Sequence, residues 1–97
     1  MLSIITVTKN NLIGLKNTIK SINFLKKTNL HYEIIIIDGQ SKDGTVKYLK
    51  KNKNKFLSEE DKNIFDAFNK GLKLAKFKYV WMLNAGDTVH PDCENAI

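Results

Sequence analysis

Ile34 to Ile37, four isoleucines in a row between Tyr32-Glu33 and Asp38, constrain the fold of this chain more than any other stretch. A strand with one wet face alternates apolar and polar residues. This run has no polar face, so both of its sides must be covered. β-branched side chains favour the pleated conformation, and the run is far shorter than the ~20 residues of a membrane span. It therefore reads as a central strand of a parallel sheet with helices packed on both faces.

The flanking segments supply those layers. Leu2 to Thr8 (LSIITVT) reads as another strand, expected to begin almost at residue 1 with no N-terminal extension. Asn11 is placed to cap a helix. Leu12, Leu15, Ile19 and Ile22 then recur at three- and four-residue steps, one helical face running to about residue 26 or 27. Past the tight loop Gly39 to Thr45, Val46 and Leu49 mark a short helix, and Lys50 to Lys55 is a basic exit. Phe56-Leu57-Ser58 reads as a brief third strand.

Glu59-Glu60-Asp61 put negative charge where the next helix is expected to start, as its dipole favours. Ile64, Phe68, Leu72 and Ala75 mark the expected buried face. Gly71 inside that helix costs about 1 kcal/mol relative to Ala and is expected to allow close packing on a neighbour. Tyr79 to Leu83 has the composition of a strand buried on both faces, and it stops abruptly at Asn84-Ala85-Gly86-Asp87. Right-handed crossovers between these strands give an α/β, half Rossmann-like, mainly parallel sheet between helical layers, with expected strand order 3-2-1-4.

Composition excludes several functions. All 16 basic residues are Lys against 10 acidic ones, a net charge of +6. Base readers rely on the bidentate fork of Arg, so the lysines read as a solvated surface and no nucleic-acid partner is expected. Attraction to nucleotide phosphates or to an anionic membrane surface ranks next. Cys93 is the single cysteine and His31 and His90 are far apart, so neither a disulfide nor a zinc site is expected. The N-terminus lacks the pattern of a signal peptide, and a cytoplasmic location, extending to the inner face of a membrane, is the expectation.

Three polar sites fall at the ends of expected parallel strands: Thr8-Lys9-Asn10, Asp38-Gly39 and Asn84 to Asp87. Such carboxyl ends face one crevice, where open α/β sheets bind ligands. No Gly-rich phosphate loop accompanies them. Phosphates would therefore have to be held some other way, and a metal held by Asp87 would do it.

The segments LSIITVTKNN, YEIIIIDGQSKDGTV, FLSEEDKNIFDAFNKGLKLA and YVWMLNAGDTVHPD, in this order and spacing, resemble the family 2 glycosyltransferases of GT-A fold. The likeness is greatest to the polysaccharide-building subgroup that reads N-x-G-D where relatives read D-x-D-D. The resemblance implies a nucleotide-sugar donor, a UDP-sugar first, and a glycan or lipid-linked acceptor. Thr8, with Lys9 and Asn10 beyond it, would border the nucleobase. Asp38 would accept from the uracil ring or its ribose. Lys62 would lie near the nucleotide, and Asn84 would belong to the donor site. Asp87 would bind Mg²⁺ or Mn²⁺ bridging the donor diphosphate. Asp43 is expected to cap the following helix or brace its loop, and Asn69 to pack and brace rather than to bind. Asn84, Gly86, Lys9 and Asn63 depart from the common family pattern.

The resemblance further implies that residues 1–97 are the N-terminal, donor-binding portion of a longer domain, ending soon after the N-x-G-D motif. The acceptor site and the general base would lie in the other half, so the chain alone is expected not to transfer sugar. The strand at 79–83 would then form an open edge prone to self-association. The alternative is a non-enzymatic remnant or interaction module of the same half-fold. A phosphoacceptor domain with Asp38 at its centre would want an acidic pair after the first strand, where Thr8-Lys9 stands.

Overall fold

The computed structural model describes residues 2–23 and 31–87. In chain order the elements are β1 (Leu2–Thr8), α1 (Leu12–Ile22), β2 (Tyr32–Asp38), α2 (Thr45–Lys51), β3 (Lys55–Ser58), α3 (Ile64–Leu74) and β4 (Tyr79–Asn84). The four strands form one sheet in the order β3-β2-β1-β4, and every pairing is parallel. The order expected from the crossovers is the order observed. The expected extension of the first helix to residue 26 or 27 lies outside the described residues.

The isoleucine run sits where its lack of a polar face requires. Ile35, Ile36 and Ile37 are fully buried, each worth roughly 1.5–3 kcal/mol over an exposed side chain. Ile36 packs with Leu15 of α1 and Leu49 of α2, while Ile35 and Ile37 pack with Ile5, Val7 and Ala67 of α3. The alternation of β2 thus serves two apolar layers at once. On the α1 side, Leu2, Ile4 and Ile22 add a second cluster that Trp81 and Leu83 of β4 join.

Four expectations need correction. The helix after β3 begins at Ile64, not within Glu59-Glu60-Asp61: Asn63 is its N-cap, accepting from the Asp66 amide at 2.9 Å. Its buried stripe is Ala67 and Gly71, while Ile64 and Leu72 are exposed. The small residues win because α3 lies so close to the sheet that a Cβ on Gly71 would stand 2.3 Å from Ile5 Cγ2. Asn69 is exposed on the outer face of α3, not packed. Finally, β4 is not buried on both faces. It pairs only with β1 among the described strands, and Tyr79 and Met82 are exposed, as its place at the sheet edge dictates.

The far end of the sheet is closed by a polar knot. Glu33 accepts from Ser3 Oγ at 2.6 Å, from the Lys76 amide at 2.6 Å and from Lys55 Nζ at 3.1 Å. Desolvation pushes the Glu33 carboxyl up, but these three donors outweigh it and leave its pKa lowered. The knot fixes the turn between α3 and β4, and so the register of β4.

Candidate functional site

Parallel register brings the three strand ends side by side. Thr8 faces Asp38 across β1 and β2, and Val7 faces Asn84 across β1 and β4. Beyond these ends opens a cleft of about 440 Å³. It is lined by Val7 and Thr8 at the end of β1, Lys9 and Asn11 after it, Asp61 to Asn63 before α3, Ile64 and Ala67 of α3, and Asn84-Ala85 at the end of β4. The site is therefore at the carboxyl edge of a parallel sheet, where ligands of open α/β folds bind.

Of the six residues expected in the site, Thr8, Lys62 and Asn84 line the cleft. Thr8 is 6% exposed, and its Oγ1 is buried without a hydrogen-bond partner among the described residues. A buried hydroxyl in that state is costly, and Thr6 Oγ1 earlier in the same strand shares it. Lys62 is exposed, and its amide donates to Asp66 Oδ2 at 3.0 Å.

Asp87 stands in the turn beside Asn84. Its Oδ2 accepts from the Asn84 amide at 2.9 Å, and its own amide donates to the Asn84 carbonyl oxygen at 2.9 Å. The carboxylate is thus held at the exposed end of β4 by the backbone of its own turn. Gly86 completes that turn with φ of +103°, a conformation that only glycine adopts freely.

Asn10 and Asp38 are turned to other work. Asn10 Oδ1 accepts from the Lys42 amide at 2.7 Å, and its amide donates to Ser41 Oγ at 2.8 Å. It ties the loop after β1 to the loop after β2. The Asp38 carboxylate is fully buried. It accepts from the Ser41 amide at 3.0 Å, from Ser58 Oγ at 2.7 Å and from Ser41 Oγ. Asp43 braces as expected: it accepts from Thr45 and, at 2.9 Å, from the Leu12 amide that opens α1. The Thr45 hydroxyl, more than any other partner, holds the Asp43 carboxyl below the ordinary range.

Asp61 and Asn63 line the cleft without having been among the expected site residues. Asp61 Oδ1 lies 2.6 Å from Lys70 Nζ of α3. Lys70 also meets Glu59 at 3.2 Å and the Glu60 carbonyl oxygen at 2.7 Å. No periodicity links a loop residue to a helix residue nine positions on; only the path of the loop does. Asn63 caps α3 and lines the cleft together. Its signal was legible, since Asn followed three residues later by an acid is a helix-start pattern.

No group of three His, Cys, Asp or Glu side chains able to hold a metal occurs among the described residues. The exposed carboxylate of Asp87, bonded to the cleft residue Asn84, would suit instead a hard cation that arrives with phosphates, since Mg²⁺ takes only one or two carboxylates plus substrate oxygens. No helix among the described residues is long and apolar enough to cross a membrane.

The family model described as glycosyl transferase family 2 matches residues 3–95. An uncharacterized glycosyltransferase of Mycobacterium tuberculosis is 36% identical over 88 residues, covering 88% of this chain and 33% of the relative. The poly(ribitol-phosphate) beta-N-acetylglucosaminyltransferase TarP of Staphylococcus aureus is 36% identical over 94 residues, covering 91% of this chain and 29% of the relative. The mannosyltransferase PcManGT from Pyrobaculum calidifontis, solved with GDP-Man and Mn²⁺, superposes with a TM-score of 0.84 at 18% identity, over 98% of this chain and 30% of that one. S. aureus TarS in complex with UDP-GlcNAc superposes with a TM-score of 0.70 at 21% identity, over 98% of this chain and 29% of that one. At these identities the superpositions establish the fold, which is GT-A. The chain spans about a third of the length of the relatives it matches.

Proposed function

The chain belongs to glycosyl transferase family 2, and on that premise we propose that it supplies the nucleotide-sugar-binding half of an enzyme that transfers sugar from a UDP-sugar to a glycan or lipid-linked acceptor. The observation that carries this reading is the cleft at the carboxyl edge of the sheet, lined by Thr8, Lys9, Lys62 and Asn84 from three neighbouring loops and strand ends. Thr8 would border the nucleobase from the end of β1. Lys9 and Lys62, both lining the cleft, would set positive charge toward the diphosphate. UDP is preferred because TarP, at 36% identity, is by name an N-acetylglucosaminyltransferase, and TarS was solved with UDP-GlcNAc. The names of these relatives favour an enzyme over a non-enzymatic module.

Asp87 is the residue that would hold a divalent cation, with Asn84 beside it in the donor site. When bound with the donor, Mg²⁺ or Mn²⁺ neutralises charge on the departing nucleoside diphosphate. The chain's own part is to present one carboxylate, fixed by the Asn84 amide, beside a cleft that orients the nucleotide. Asp38 acts first as a brace. Its three donors are already within the chain, so contact with the base would come at the expense of one of them. The general base for the acceptor hydroxyl is proposed to come from the part of the domain beyond the region described here.

Calorimetry with UDP and GDP, with and without Mn²⁺, tests the proposal. UDP binding that is weak without metal and strengthened by Mn²⁺ is expected. Asp87→Ala should abolish the metal dependence, and Asp38→Ala should weaken UDP even without metal while also lowering the melting temperature. Tight binding that ignores the metal would count against the assignment.

A further inference from the structure

The Asn84–Asp87 turn leans on α1, and one hydroxyl provides much of the contact. Thr18 is fully buried. Its Oγ1 accepts from the Gly86 amide at 2.9 Å and lies 2.6 Å from the Asp87 carbonyl oxygen, to which it donates. The back-bond to Gly14 in its own helix, common for a helical threonine, is longer at 3.0 Å. The Gly14 carbonyl oxygen also takes the Gly86 amide at 3.1 Å, and Asn11 Nδ2 donates to the Ala85 carbonyl oxygen at 3.2 Å.

Thr18 therefore grips the turn twice, as acceptor at Gly86 and as donor at Asp87. The grip matters because Gly86 supplies no side chain to restrict the turn. The Asp87 carboxylate is bonded back to the Asn84 amide within the same turn, so wherever the turn stands, the carboxylate stands. We propose that Thr18 is a positioning residue for Asp87. It touches neither nucleotide nor cation, and it sets from α1 where the carboxylate meets the donor's cation. The inference rests on the reading of Asp87 given above.

Thr18→Val keeps shape and burial and removes only the hydroxyl; Thr18→Ser keeps the hydroxyl. The test is UDP calorimetry on the full chain with and without Mn²⁺, together with amide hydrogen exchange at Gly86. Supporting groups behind a metal ligand are typically worth 10- to 100-fold in metal affinity. Thr18→Val should accordingly lose about 10-fold or more of the Mn²⁺-dependent gain in UDP affinity. It should keep its metal-free UDP affinity and exchange faster at Gly86, while Thr18→Ser should match the parent. An unchanged Mn²⁺-dependent gain in Thr18→Val overturns the proposal. Equal losses with and without Mn²⁺, or no rescue by Thr18→Ser, also overturn it, since both mark a general structural defect. Should Thr18→Val not fold, Thr18→Ala takes its place with the same outcomes. If the parent chain shows no Mn²⁺ gain, the reading of Asp87 fails on its own. Gly86 exchange then decides the positioning role: faster exchange in Thr18→Val supports it and unchanged exchange overturns it.

Discussion

Lys70 Nζ lies 2.6 Å from Asp61 Oδ1, and through that pair helix α3 holds the loop that lines the cleft. The same ammonium meets Glu59 at 3.2 Å and Asp66 at 3.4 Å. Its pKa is held well above the ordinary lysine value, chiefly by the hydrogen bond to Asp61. Lys70→Gln would remove the cation and leave Glu59, Asp61 and Asp66 facing one another as like charges. The expected result is a lower urea midpoint and faster amide exchange over residues 59–63. UDP affinity should fall with it, because Asp61 and Lys62 lose their fixed places. Exchange unchanged over those residues would show that the loop holds itself.

Gly71→Ala should destabilise the fold, although alanine is the better helix former by about 1 kcal/mol. The added Cβ would meet the branch methyl of Ile5 at 2.3 Å, and overpacking of this kind costs ~1–3 kcal/mol. Ile5→Ala removes that methyl. Its cost should therefore be smaller in the Gly71→Ala background than in the parent, a coupling that a double-mutant cycle in urea measures.

Self-association through β4 is expected at micromolar concentration. The strand is at the edge of the sheet, with Tyr79 65% and Met82 44% exposed and no charge or proline between Tyr79 and Leu83. Trp81 packs against Leu2, Ile4 and Ile22, so a lysine there would damage the core. Met82→Lys is the clean test: sedimentation should show a shift toward monomer with little change in melting temperature. A parent chain that sediments as a stable monomer would refute the expectation.

Acid should unfold the protein through a small set of carboxylates. Hydrogen bonds to Thr45 and to the Lys62 amide lead in lowering Asp43 and Asp66, and Glu33 is lowered despite its desolvation. A lowered folded-state value means stability that is complete above the ordinary carboxylate range and is lost as pH falls through the lowered values, below about pH 4. Lys70 has the opposite sign: its contribution is complete below the ordinary lysine pKa and is lost only as pH rises through the raised one. Urea midpoints should be flat from these groups between about pH 6 and pH 9. They should fall on the acid side, and Glu33→Gln should flatten part of that fall.

The strands of this protein are legible in one dimension because burial on two faces, or on one, writes itself directly into residue type. Ile34 to Ile37 could only be central, and β1, β3 and β4 followed with nearly the observed bounds. The cleft edge was legible for a related reason: parallel strands joined by crossovers must end together, which places Thr8, Asp38 and Asn84 in neighbouring register. What hydrophobicity could not reveal was distance. The buried stripe of α3 is Ala67 and Gly71, not the larger Ile64 and Leu72, because the helix approaches Ile5 too closely for bulk. Nor could it reveal polar partners far apart in the chain. Ser58 on Asp38, Lys70 on Asp61 and Thr18 on Asp87 each pair groups from different elements. A hydrogen bond or ion pair depends on angstrom-scale meeting of two groups, and that meeting is decided only when helices and loops have settled on the sheet.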